Sequence, residues 1–110
     1  MHITDVPFGV SDWSAFPETS QSGASGTVSQ RLFERGNIRV RMVRYSPGYL
    51  ADHWCERGHV LLVLDGELTT ELADGSRHVL RAGMSYQVAE GAAPHRSRTG
   101  TSGATLFIVD

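Results

Sequence analysis

The chain has one cysteine, Cys55, in 110 residues. No disulfide can therefore close within it, so its stability must come from core packing or a bound metal, and a reducing compartment fits. Long apolar runs are also lacking. The longest uninterrupted one, Val60 to Leu64, is much too short to cross a bilayer, and the N-terminus lacks the basic-then-apolar layout of a secretory signal. Charge of one sign is scarce as well. A formal net charge of -2 provides none of the clustered positive field that gathers nucleic acid or an anionic membrane. These absences point to a cytoplasmic protein with no nucleic-acid or membrane partner. No helical periodicity is sustained, and no segment repeats. What the chain does have is an apolar share of 40%, enough at this length for the core of a single domain.

Residues 1–27 read as an irregular N-terminal arm and loop. They hold scattered aromatics (Phe8, Trp13, Phe16) followed by the polar, glycine-rich stretch Gln21 to Thr27. The aromatics can anchor the arm on the body of the domain or on a second subunit. From Val28 the pattern changes to short runs of β-branched and aromatic residues separated by turn signals, which predicts an all-β sandwich or barrel over residues 28–110. The expected strands are 28–33, 38–45, 50–55, 60–64, 67–72, 77–80, 85–89 and 104–109. Asp65-Gly66 suits a tight hairpin, and Asp74-Gly75 repeats the signal one strand later. In 67–72, Leu68, Thr70 and Leu72 share a face opposite Glu67, Thr69 and Glu71, as in a strand wet on one side. Val60 to Leu64 has no polar face. Its outer side is expected to meet another sheet or another subunit, and with the aromatic arm this predicts a homodimer.

The chemistry concentrates in His53, Cys55 and His59, which fall within seven residues, and in His95, which follows a proline. On a strand, positions two apart share a face, so His53 and Cys55 would aim their donors into one cavity. Imidazole nitrogens and a thiolate suit zinc, iron, nickel and copper, whereas calcium and magnesium prefer oxygen. The bland alternative is a core cysteine with satisfied histidines that bind nothing. A third reading pairs Cys55 with a histidine as a nucleophilic thiolate, although no clear oxyanion site accompanies it.

The segment from Pro47-Gly48 through His53-Trp54-Cys55-Glu56-Arg57-Gly58-His59, then six residues and Gly66, resembles the first motif of the cupin superfamily. That motif is a Gly, a His-x-His pair, a Glu three or four residues on, and a Gly six residues after it. Gly83, then Ala89-Glu90-Gly91 and Pro94-His95, is similar to the second cupin motif, and the two together cover residues 47 to 99. Asp52-His53-Trp54-Cys55 with Gly58-His59 also resembles an uncharacterised cupin group named for its Asp-His-Cys-Trp motif. The resemblance implies a single-domain jelly-roll barrel of the RmlC-like type. Position by position, His53 matches the first ligand, Cys55 the second histidine, His59 the glutamate and His95 the final histidine. Two of these depart from the family pattern: Cys for His and His for Glu replace harder donors with softer ones. One divalent transition metal is implied, with zinc, iron, nickel or copper favoured over manganese.

Metal-bound cupins include dioxygenases, isomerases and decarboxylases, so the resemblance implies a metal-dependent enzyme acting on a small molecule in the barrel. The alternative is a non-catalytic cupin that senses a small molecule, the metal or redox state, because four protein ligands would close the coordination sphere. Tyr86 and Val88 alternate inward before His95, and Tyr86 either contacts a ligand or fills the core. Arg39 and Arg41 share one strand face and read as part of a solvated sheet surface. The alternative is an arginine that reaches the barrel mouth to hold a carboxylate or phosphate.

Overall fold

Alternating side chains decide where each strand turns its apolar face, and in the computed structural model, which describes residues 1–110, those faces close around one core. The strands are β1 (Thr19–Ser22), β2 (Thr27–Arg35), β3 (Ile38–Tyr45), β4 (His59–Leu72), β5 (Arg77–Arg81), β6 (Ser85–Val88), β7 (His95–Arg98) and β8 (Ala104–Val109). A short 3-10 turn, Trp13–Ala15, is the one helical element. The strands run β1-β2-β3-β8-β4-β5, and β6 and β7 also pair with β4. The long β4 joins the two walls: its first half pairs with β8 and β6, its second half with β5 and β7. All of these pairings are antiparallel, so the all-β jelly-roll expectation holds.

Seven of the eight expected strands fall in observed strands, two of them merged into one, and the differences are instructive. The expected strands 60–64 and 67–72 are one continuous strand, and Asp65-Gly66 forms no hairpin. Instead a β-bulge falls between Val63 and Asp65. It moves the inward positions from the odd residues Leu61 and Val63 to the even residues Leu68 and Thr70, all buried. Gly66 sits at φ +77, and a Cβ there would run into the backbone of Gly103, so a side chain is excluded twice.

Residues 50–55 are not a strand. Only Leu50 and Cys55 form bridges, each isolated, because the backbone between them leaves the ladder. β7, unmarked by apolar alternation, is a strand of His-Arg-Ser-Arg. The sheet also begins inside the segment read as an irregular arm, where β1 pairs with β2. Arg31 anchors that arm by donating from Nη1 to the carbonyls of Trp13 at 2.8 Å and Phe16 at 2.7 Å. The core is Val43, Leu61, Val63, Leu68, Leu80, Ala104, Leu106 and Ile108. The face of β4 expected to be covered is half open: Val60 is 45% and Leu64 44% exposed.

Candidate metal centre

His59 opens β4 on the inward parity shared by Leu61 and Val63, and its side chain is only 5% exposed. His95 opens β7, where it pairs with Leu72 at the end of β4 and is 3% exposed. Cys55 arrives from the irregular loop, and its backbone exchanges both hydrogen bonds with His95, Cys55 N to His95 O at 2.7 Å and His95 N to Cys55 O at 3.0 Å. Two further bonds hold the same loop against the turn before β7. Gly58 N donates to Glu90 Oε1 at 2.6 Å and Gly91 N to Glu56 O at 2.8 Å. The loop therefore needs no strand geometry of its own. Its register comes from residues about 35 positions later.

The consequence is that Cys55 Sγ and the ring nitrogens of His59 and His95 lie within 4.8 Å of one another. That spread is on the scale of one coordination sphere, in which metal–ligand bonds are about 2.0–2.3 Å. Nδ1 of His95 lies 2.7 Å from the carbonyl of Ala93, which can only accept, so Nδ1 carries the proton and Nε2 presents a lone pair. That lone pair faces His59 Nε2 at 3.1 Å. Burial lowers the His95 pKa, and nearby His59 adds to this against the opposing bond to Ala93, which favours the neutral, ligating form. The Tyr86 hydroxyl lies 2.9 Å from the same His59 nitrogen. Burial pushes the Tyr86 pKa up, so the phenol stays protonated. One thiol and two imidazoles at one buried point suit a transition metal of borderline softness, and the donor set fits such an ion.

His53 is not brought into this group. Without a ladder at 50–55, the two-residue parity with Cys55 does not operate, and His53 turns to Asp52 at 2.7 Å with its side chain 75% exposed. It remains on the rim of the cavity of about 350 Å³ in whose wall Cys55, His59, Tyr86 and His95 also lie. Tyr86 also lines this cavity.

Sequence reading gave the other side of this cavity only as its alternative for Arg39 and Arg41. Arg39 and Arg41, read as part of a solvated surface, are on the inward face of β3 with Val43 and line the cavity. Their side chains are 24% and 17% exposed. Both bind Asp110, whose side chain is 0% exposed: Arg39 donates from Nε at 3.0 Å and Nη2 at 3.1 Å, and Arg41 from Nη2 at 3.0 Å. Asp110 Oδ2 also approaches His59 Nδ1 at 3.8 Å, which leaves that buried nitrogen without a hydrogen-bond partner. Burial opposes ionisation of Asp110, but His59 and the two guanidinium groups outweigh it and hold the carboxyl well below the usual carboxylate range. The signal available in sequence was the shared parity of Arg39 and Arg41. Parity does not say which face is inside.

No family model matches the sequence, and no curated protein matches it. Solved structures do. A sugar phosphate isomerase from a cupin superfamily, from Silicibacter pomeroyi, superposes with a TM-score of 0.70 at 17% identity, over 89% of this chain and 72% of that one. A cupin-2 domain from Rhodospirillum rubrum gives a TM-score of 0.71 at 15% identity, over 96% of this chain and 76% of its own. This chain folds as a cupin. The Fe(II) enzyme HppE shares the fold with a TM-score of 0.74 at 18% identity, over 93% of this chain and 59% of that one. In this cupin barrel the donors converge in the interior cavity, and no helix is long and apolar enough to cross a membrane.

Proposed function

We propose that this cupin binds one divalent transition metal through Cys55, His59 and His95 and acts as a metal-dependent enzyme on a small molecule held in the barrel. The observation that carries this reading is the meeting of three buried or half-buried donors at the wall of a cavity of about 350 Å³. Three protein ligands leave a coordination position for water or an oxygen of the bound molecule, whereas a closed structural site uses four. The metal would supply Lewis-acid polarisation of that oxygen. The chain's own residues position the site: Ala93 O fixes the His95 tautomer, Tyr86 restrains the His59 ring, and the Cys55–His95 backbone pair sets the thiol against the imidazoles. The softer donors favour zinc, iron, nickel or copper over manganese. Among the structures that share the fold, a sugar phosphate isomerase and the Fe(II) enzyme HppE support a catalytic use of it.

The test is metal analysis of untagged protein, followed by cobalt substitution. A sulfur-to-cobalt charge-transfer band is expected, lost in Cys55→Ser. Protein that takes up no stoichiometric cobalt would overturn the site.

A second reading is favoured by the place of His53 on the same cavity rim. Recruited as a fourth ligand, it would close the sphere and make the protein a metal or redox sensor. A cobalt spectrum changed in His53→Ala selects this reading, and an unchanged one selects the open site. The exposed strip of Val60, Leu64 and Met84 supports a homodimer across that sheet face, to be tested by solution mass. A free thiol among the ligands supports a reducing, cytoplasmic setting.

A further inference from the structure

We propose that Arg39 and Arg41 form an oxyanion subsite in the barrel, which holds a carboxylate or phosphate group of the small molecule. This rests on the reading that the cavity receives a small molecule, and not on which metal the donors bind. Successive inward positions of a barrel strand ordinarily carry apolar side chains, as Val43 does on the same face. Two guanidinium groups there need compensation, and Asp110 supplies it for one. Arg39 meets the carboxylate with a two-point fork. Arg41 is poorly satisfied: it reaches Asp110 only through Nη2, its Nη1 lies 3.5 Å from Gln30 Oε1, and its buried Nε has no partner. Arg57, 49% exposed, brings a third guanidinium to 4.0 Å from the same Oδ2. Three cations thus face one carboxylate. The acid that lines the cavity itself, Asp52, is already engaged by His53. A purely structural ion pair would need one arginine, so the second is accounted for by an anion that enters from solvent.

The chemistry selects the ligand class. Guanidinium forks match planar or trigonal oxyanions with two acceptor oxygens, which carboxylates and phosphates share and neutral sugars or amines lack. The subsite adjoins the donor cluster through Asp110, which touches Arg41 at 3.0 Å and approaches His59 at 3.8 Å. A molecule anchored at Arg41 by its anionic end would therefore lie with its remainder toward the metal donors.

The probes are inorganic phosphate and acetate, titrated into full-length protein at low ionic strength, with and without cobalt, by calorimetry and thermal shift. Saturable one-to-one binding is expected for at least one of them. Tighter phosphate binding assigns a phosphate-bearing ligand, and tighter acetate binding a carboxylate. Arg41→Gln should weaken binding about ten- to hundredfold, the size of one lost charge-assisted contact. Arg41→Lys should fall between, because it keeps the charge without the fork. Arg81→Gln, on the exposed face of β5, should change nothing. The subsite is overturned if neither anion binds the wild-type protein, or if both Arg41 variants bind as the wild type does. Should Arg41→Gln not fold, the wild-type titration and Arg41→Lys still decide. A charge-transfer band without anion binding would sink the subsite alone, and anion binding without the band would sink the metal site alone.

Discussion

Replacing Asp110, which sits behind the cavity-lining Arg39 and Arg41, with alanine should destabilise the protein more than the loss of any single polar side chain that lines the cavity. The carboxylate is 0% exposed and accepts three hydrogen bonds from two guanidinium groups at 3.0 to 3.1 Å. Removing it leaves Arg39 and Arg41 facing each other with no anion between them. Breaking one partner out of a buried ion pair costs about 3–5 kcal/mol. Because both arginines keep some contact with solvent, the lower end, about 3 kcal/mol, is expected. At roughly 4 °C or more per kcal/mol for a domain of this size, the midpoint should fall by more than about 10 °C. Thermal unfolding followed by far-UV circular dichroism measures it. Its pH dependence provides a second check. The folded-state pKa of Asp110 is depressed, so its contribution is fully present above the unfolded value near 3.8 and is lost as pH falls toward the folded one. The gap between wild type and Asp110→Ala should hold steady from pH 7 to about pH 4 and narrow below it. A midpoint within about 3 °C of wild type at pH 7, or a gap that widens in acid, would refute the argument.

Leu106→Ala removes a side chain that is 0% exposed in the middle of β8 and should cost about 2–5 kcal/mol, read from the urea midpoint at unchanged slope. Gly66→Ala places a Cβ at φ +77 against the Gly103 backbone. It should lose more than the roughly 1–2 kcal/mol of left-handed strain alone, and a neutral effect would mean that the bulge is not where we place it. Tyr86→Phe deletes the hydroxyl beside His59 Nε2, and a loss of about 0.5–1.5 kcal/mol is expected in thermal unfolding of the metal-free protein. Asp110→Asn keeps the shape of the side chain while removing its charge beside His59. About ten- to hundredfold weaker cobalt binding in competition with a chelator would mark Asp110 as a positioning group behind that ligand.

The burial of Asp110 among cations also explains why the end of β8 is fastened twice. Its backbone exchanges hydrogen bonds with Arg39 at 2.6 and 2.8 Å, while its side chain takes the same arginine's guanidinium. A residue held at both backbone and side chain can present Oδ2 to His59 and Arg41 at once. The metal-facing and arginine-facing walls of the cavity are coupled through this carboxylate, so a change in either wall should register in the other.

By itself the sequence determined the fold class and three of the candidate donors that the fold brings together. Alternation in 38–45, 77–80 and 104–109 survives in any register of a half-buried sheet, so these strands were legible without partners. Cys55, His59 and His95 stood out as candidate donors because they fall in the two stretches that resemble the cupin motifs. Tertiary structure decided how these parts face. Parity between His53 and Cys55 depends on a ladder that 50–55 does not have, and the loop takes its shape from Glu90, Gly91 and His95 instead. Asp65-Gly66 has the chemistry of a hairpin and serves as a bulge, because β8 runs alongside both halves of β4 and keeps the strand going. Arg39 and Arg41 announced a common face but not its direction. That direction followed only when barrel closure brought Asp110, 71 residues from Arg39, to a point where their charge could be buried.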